Sequence, residues 1–177
     1  MKTRTLVTAA LLVALGVALN YVPFISRVPL LPSAPFLEYS PSDIPTLLGT
    51  FALGPIVGTL IGLMRALAHA AVGNTGGLVG TTMDAFSSMT LALSAGLIYQ
   101  YMKTRKGAVI ALVTSALAMT AAAVALNYFW AYPAFGAPAE LVWTTALPFN
   151  LIKGTINGVV VFLLYKPLSV VLHGQRD

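Results

Sequence analysis

Three polar side chains, Asn150, Lys153 and Asn157, stand inside an apolar run from Thr144 to Leu164 that otherwise has the make-up of a membrane span. Their spacing of i, i+3 and i+7 puts them on one face of a helix. At a rise of 1.5 Å per residue, Lys153 lies about 13 Å below Thr144, too deep for an easy snorkel to the outer surface. An ammonium group at that depth costs about 3 kcal/mol on insertion scales, so a partner must offset it. Two readings fit. In one, Lys153 pairs with an acid such as Asp84 or Asp43 and merely locks two helices. In the other, Lys153 and Asn150 donate hydrogen bonds to acceptors on a polar, ring-containing ligand. Asn127, followed by Tyr128, Phe129 and Trp130, would then add an amide and a stacking surface at the same level.

Arg65 and His69 form a second polar pair, at i and i+4, in the apolar stretch from Ile44 to Val72. Arg65 calls for a buried acid or a ligand, with Asp84 a candidate, and His69 reads as a hydrogen-bonded core histidine rather than a metal ligand. This is chemistry for holding a molecule, and no catalytic residue is expected. The chain has no cysteine and only two histidines, so thiol nucleophiles, disulfides and thiolate metal sites are not expected. It has no G-x-x-x-x-G-K-[ST] phosphate loop, no H-E-x-x-H, no G-x-S-x-G and no aspartate pair placed for proteolysis.

The elements that must position these groups follow from composition. Of 177 residues, 58% are hydrophobic and 8% charged, against about 25% charged in a soluble domain. The whole chain, residues 1–177, therefore reads as a single all-α integral membrane domain. Its charge of +5 forms no basic stripe with interleaved aromatics, which argues against nucleic acid. Spans are expected over Thr5 to Val22, Gly80 to Met102, Ala108 to Trp130 and Thr144 to Leu164. The first has the basic start and apolar middle of a signal peptide, but its apolar run continues to Phe24, so a retained helix is expected.

Ile44 to Val72 is too long for one span and too short for two full ones, and Gly54-Pro55 divides it. Two short helices there, the second of the chain broken from the third at Gly54-Pro55, bring the total to six with both termini cytoplasmic. Lys2, Arg4, Lys103, Arg105, Lys106, Lys166 and Arg176 then all lie inside, as basic residues do in short cytoplasmic loops. Glu38, Asp43, Asp84 and Glu140 fall in or near the outer segments. The outer connections are long and rich in proline, glycine or aromatics, and irregular backbone at membrane depth survives where it lines a cavity, so a site opening outward is expected. In the first span Ala10, Ala14 and Ala18 recur every fourth residue, a spacing that lets another helix approach closely, whether this protein's own or a partner's.

Three stretches also resemble a known family. "SDIPTLLGTFALGPIVGTLIGLMRALAH" (Ser42 to His69), "NTGGLVGTTMDAF" (Asn74 to Phe86) and "NYFWAYP" with "PFNLIKG" (Asn127 to Pro133, Pro148 to Gly154) are similar to the S components of energy-coupling-factor vitamin transporters, most closely the riboflavin-specific branch. The resemblance implies a six-helix fold with an outward-facing pocket roofed by the first loop. It implies capture of riboflavin as a transported ligand, with no cofactor, at the cell membrane of a prokaryote. Assembly with a transmembrane coupling subunit and two cytoplasmic ATPases is implied too, with Ala10, Ala14 and Ala18 on the coupling subunit. Asn150 and Lys153 match positions that bind the flavin ring and Asn127 one near the ligand's polar groups. Asp84, Asp43, Tyr39, Leu37 and Glu38 complete the expected ligand-binding set, the last three from the first loop. Arg27 is the only basic residue in the outer loops, so riboflavin is expected in preference to flavin mononucleotide, whose phosphate would seek more positive charge. An S component for another small vitamin or flavin, flavin mononucleotide for example, or a helix bundle outside transport, are the alternatives.

Overall fold

The computed structural model describes residues 3–73 and 76–173, with side chains as far as Leu164. Lys2, Asn74, Arg176 and the side chain of Lys166 lie outside this description. Among the described residues there are six α-helices of more than one turn: α1 (Thr3–Ala18), α2 (Asp43–Leu53), α3 (Pro55–Gly73), α4 (Gly77–Tyr101), α5 (Arg105–Leu126) and α6 (Ala146–His173). Among the described residues, three segments are long and apolar enough to cross a membrane: Pro55–Gly73, Arg105–Ala134 and Ala139–Leu164. α4 has the length but carries more hydroxyls. Thr81, Thr82 and Ser94 return theirs to the carbonyls of Gly77, Leu78 and Thr90, which satisfies them inside the helix.

The break at Gly54-Pro55 falls where the sequence puts it. Gly54 adopts φ 94° and its N–H closes α2 on the Thr50 carbonyl, a left-handed cap natural to glycine. Pro55 then opens α3, where a missing N–H costs nothing. With 11 residues, α2 is about 16 Å long, half the hydrocarbon thickness. It packs against α1, α3, α4 and α6 and is buried along nearly its whole length.

Other boundaries shift for local reasons. α1 stops at Ala18 rather than Val22 because Asn20 turns its amide back onto the Gly16 carbonyl (3.3 Å) and accepts a hydrogen bond from the Ser40 hydroxyl (2.7 Å), tying the helix end to the first loop. α5 passes directly into a π-helical segment, Asn127–Ala131, and one further helical turn, Tyr132–Ala134. α6 begins at Ala146, after Thr145 has bonded the Leu141 carbonyl and the Tyr132 phenol. The first loop carries a small antiparallel ribbon, β1 (Val28–Pro29) on β2 (Glu38–Tyr39), with Val28 opposite Tyr39.

The main apolar core lies toward the inner ends of α2, α4, α5 and α6, around Leu47, Phe51, Leu91, Tyr99, Leu112 and Val161. A smaller cluster of Val124, Tyr132, Val142 and Ala146 closes the outer end beside α5 and α6. Asp43, Arg65, Asp84 and Lys153 gather in the outer half of the bundle, above the main core.

Candidate functional site

Asp43 opens α2, where a carboxylate also meets the positive end of the helix dipole. Ser42, just before it, makes no capping bond; its hydroxyl accepts instead from Arg65 Nη1 (3.1 Å). Arg65 is fully buried on α3. Its guanidinium grips Asp84 on α4 in a fork, Nη1 to Oδ2 at 3.0 Å and Nη2 to Oδ1 at 2.6 Å, the geometry that makes arginine–carboxylate pairs strong. Nη2 also lies 3.2 Å from Asp43 Oδ1 and donates to the Ser88 hydroxyl, which in turn donates to Asp43 Oδ1. Gly16 of α1 packs straight onto this arginine: a Cβ there would come within 2.7 Å of Arg65 Cδ.

The other oxygen of Asp43 faces α6. Lys153 Nζ stands 2.8 Å from Oδ2, a charge contact that leaves this oxygen without an aligned hydrogen-bond donor. Two cations and two carboxylates thus form one electrically neutral cluster joining α2, α3, α4 and α6. Asp43 and Arg65 are its inaccessible floor, while the Lys153 and Asp84 side chains keep 14% and 22% of their surface open. His69 Nδ1 lies 3.8 Å from Asp84 Oδ2, beyond a hydrogen bond, with its ring edge-on to Tyr21.

The first loop reaches down into the bundle. Tyr39 at the end of β2 is buried and donates its phenol to Asn157 Oδ1 (2.9 Å), 118 residues away in sequence. Burial, and then the Asp43 carboxylate, push the Tyr39 phenol up to about 12. Asn157 Nδ2 and Thr46 Oγ1 are buried without hydrogen-bond partners. They sit one turn further in than Lys153 and Asp43 on α6 and α2, so the polar path continues below the ion pair.

Other predicted residues are placed more simply. Asn150 and Asn127 are buried and turn their amide nitrogens back onto their own helices, at Ala146 O (2.8 Å) and Ala123 O (2.7 Å). Neither amide hydrogen-bonds the charged cluster. Leu37 is half-buried and Glu38 exposed. Ala10, Ala14 and Ala18 are all exposed, whereas Gly16 faces the interior. Ser42, Ser88 and the Tyr39–Asn157 bond were not foreseen. Ser88 could have been, since it follows Asp84 by four residues on one face of α4. The π-helical segment beginning at Asn127 was also missed, and such segments gather at functional sites.

A bundle of membrane helices with a neutral cluster of charges in its outer half, roofed by a loop that reaches into it, is the architecture of a membrane-embedded binding subunit. The chain belongs to the family described as the ECF transporter, substrate-specific component, whose model matches residues 4–165. It is a multi-pass protein of the cell membrane. It is 29% identical to the riboflavin transporter RibU of Staphylococcus aureus over 178 residues, 95% of this chain and 92% of that protein. It is 26% identical to the riboflavin transporter FmnP of Bacillus subtilis over 190 residues, 100% of this chain and 98% of that protein. A solved S component of a bacterial ECF transporter shares the fold with a TM-score of 0.80 at 29% identity, over 97% of this chain and 99% of that one.

Proposed function

We propose that this chain captures riboflavin from outside the cell and presents it to an ATP-driven partner assembly, a membrane coupling subunit with two cytoplasmic ATPases. The observation that carries this reading is Lys153, a partly open side chain in the outer half of the bundle, paired with Asp43 beneath a loop that reaches into the helices. Such a group supplies a strong donor to the acceptor rim of an isoalloxazine ring, and Asn150 supplies an amide from the same helix face. The relatives named riboflavin transporters support that choice over another vitamin.

Asp43 then acts through Lys153 as its counterion, and Asp84 through Arg65, rather than as direct ligand contacts. Tyr39 and the half-buried Leu37 supply roof surface. Neutrality of the cluster favours the uncharged vitamin over flavin mononucleotide. Arg27, the one outer-loop cation, supports the same preference, because it is exposed and engaged over the Tyr21 ring at 5.6 Å. The exposed stripe of Ala10, Ala14 and Ala18 suits close approach of a coupling-subunit helix.

The test is a titration of stripped, detergent-purified protein with riboflavin, read by quenching of flavin fluorescence. Saturable quenching is expected in the parent protein, with Lys153→Ala and Asn150→Ala each weakening affinity by about tenfold or more, the loss of one charged or buried polar contact. Unchanged affinity in both variants would remove these residues from the site. Absence of quenching in the parent protein would move the proposal to another vitamin.

A further inference from the structure

On the face of α5 and α6 turned away from the charged cluster, a groove of about 330 Å³ runs between the two helices. Its floor is made by small residues. Gly154 meets Ala116 so closely that a Cβ would stand 2.8 Å from the alanine methyl, and at Gly158 the nearest atom to such a Cβ is 3.8 Å away. Val109 and Val113 of α5 and Val159 of α6 rise beside it and are 43%, 56% and 55% exposed. From Leu151 to Leu163 the α6 wall runs about 18 Å, close to the depth of one leaflet of a ~30 Å hydrocarbon core. A helix of about 10–12 Å diameter lies over such a furrow, whereas an unbranched hydrocarbon chain lies in it.

Charge identifies the end that holds a headgroup. Val109, at the inner end of the groove, follows Arg105 and Lys106 by four and three residues, so all three share one side of α5. Both basic side chains are exposed and neither is in an ion pair with a described residue. The described acids, Glu38, Asp43, Asp84 and Glu140, all belong to the outer half or outer loops. We infer that this groove is a binding site for an anionic phospholipid of the inner leaflet, with an acyl chain between α5 and α6 and the phosphate at Arg105 and Lys106. The inference does not depend on which vitamin the protein carries.

Native mass spectrometry of the full chain in mild detergent, titrated with phosphatidylglycerol and with phosphatidylcholine of identical acyl chains, tests it. One phosphatidylglycerol is expected to bind on the order of 30-fold more tightly than phosphatidylcholine, the preference that two juxtamembrane basic residues confer. Replacing both, Arg105→Gln with Lys106→Gln, should bring the two lipids to within a few-fold of one another. Gly158→Phe, or separately the exposed Val113→Trp, should fill the furrow and lose the bound lipid while ligand quenching in the outer half persists. Equal binding of the two lipids to the parent protein would overturn the proposal. So would retention of tight phosphatidylglycerol binding in whichever furrow variant still folds.

Discussion

Asp43 is one carboxylate shared by two cations. Oδ1 serves Arg65 and Ser88, and Oδ2 serves Lys153. Replacing it with asparagine leaves Arg65 paired to Asp84 but strands Lys153, which then pays its desolvation alone. Asp43→Asn is therefore expected to cost about 3–5 kcal/mol of stability, the usual effect of removing one partner of a buried pair. It should also weaken ligand binding, and thermal unfolding in detergent together with the quenching titration checks both; an unchanged melting temperature would show that the ammonium finds another counterion. Tyr39 has its own signature. An ordinary phenol loses its proton near pH 10, while this one holds it to about 12. The difference in tyrosinate absorbance between parent protein and Tyr39→Phe should therefore titrate near 12. Because the unfolded chain deprotonates first, the stability that Tyr39 contributes is full below pH 10 and drains away as pH rises toward 12. A difference titrating near 10 would mean that the loop does not hold Tyr39 against Asn157.

The helices differ in how they use their faces, and α1 makes the point most plainly. Gly16 faces Arg65 with no room for a Cβ, while Ala10, Ala14 and Ala18 look outward. Ala14→Arg is thus expected to spare folding and riboflavin binding yet block uptake in membranes, because a long cation cannot enter a close helix crossing. Gly16→Leu should do the reverse damage, displacing Arg65 and lowering both stability and binding. Loss of binding in Ala14→Arg would assign the alanine stripe to internal packing. Short-range order of this kind was readable beforehand. The six helices, the Gly54-Pro55 break and the shared face of Asn150, Lys153 and Asn157 follow from period, length and turn chemistry. Pairings across the bundle were not. Lys153 could have met Asp84 or Asp43, and nothing local distinguishes them. The choice follows from α2, which packs against both α4 and α6 and brings Asp43 to the ammonium while Arg65 occupies Asp84. The descent of Tyr39 onto Asn157 was hidden for the same reason, since a bond across 118 residues leaves no local periodicity.

For the molecule as a whole, the short, enclosed α2 has a consequence for how the protein is made. Eleven residues headed by an aspartate are too short to span a ~30 Å hydrocarbon core alone, and α2 lies packed against α3. In order of synthesis the four charges of the cluster are negative, positive, negative and positive: Asp43, Arg65, Asp84 and Lys153. The running total within the membrane therefore returns to zero after α3, departs from it when α4 arrives, and returns only when α6 leaves the ribosome. Before α6 is made, a chain that already holds α4 has one carboxylate of the cluster without its lysine partner. The last helix thus supplies the charge that closes the cluster to neutrality.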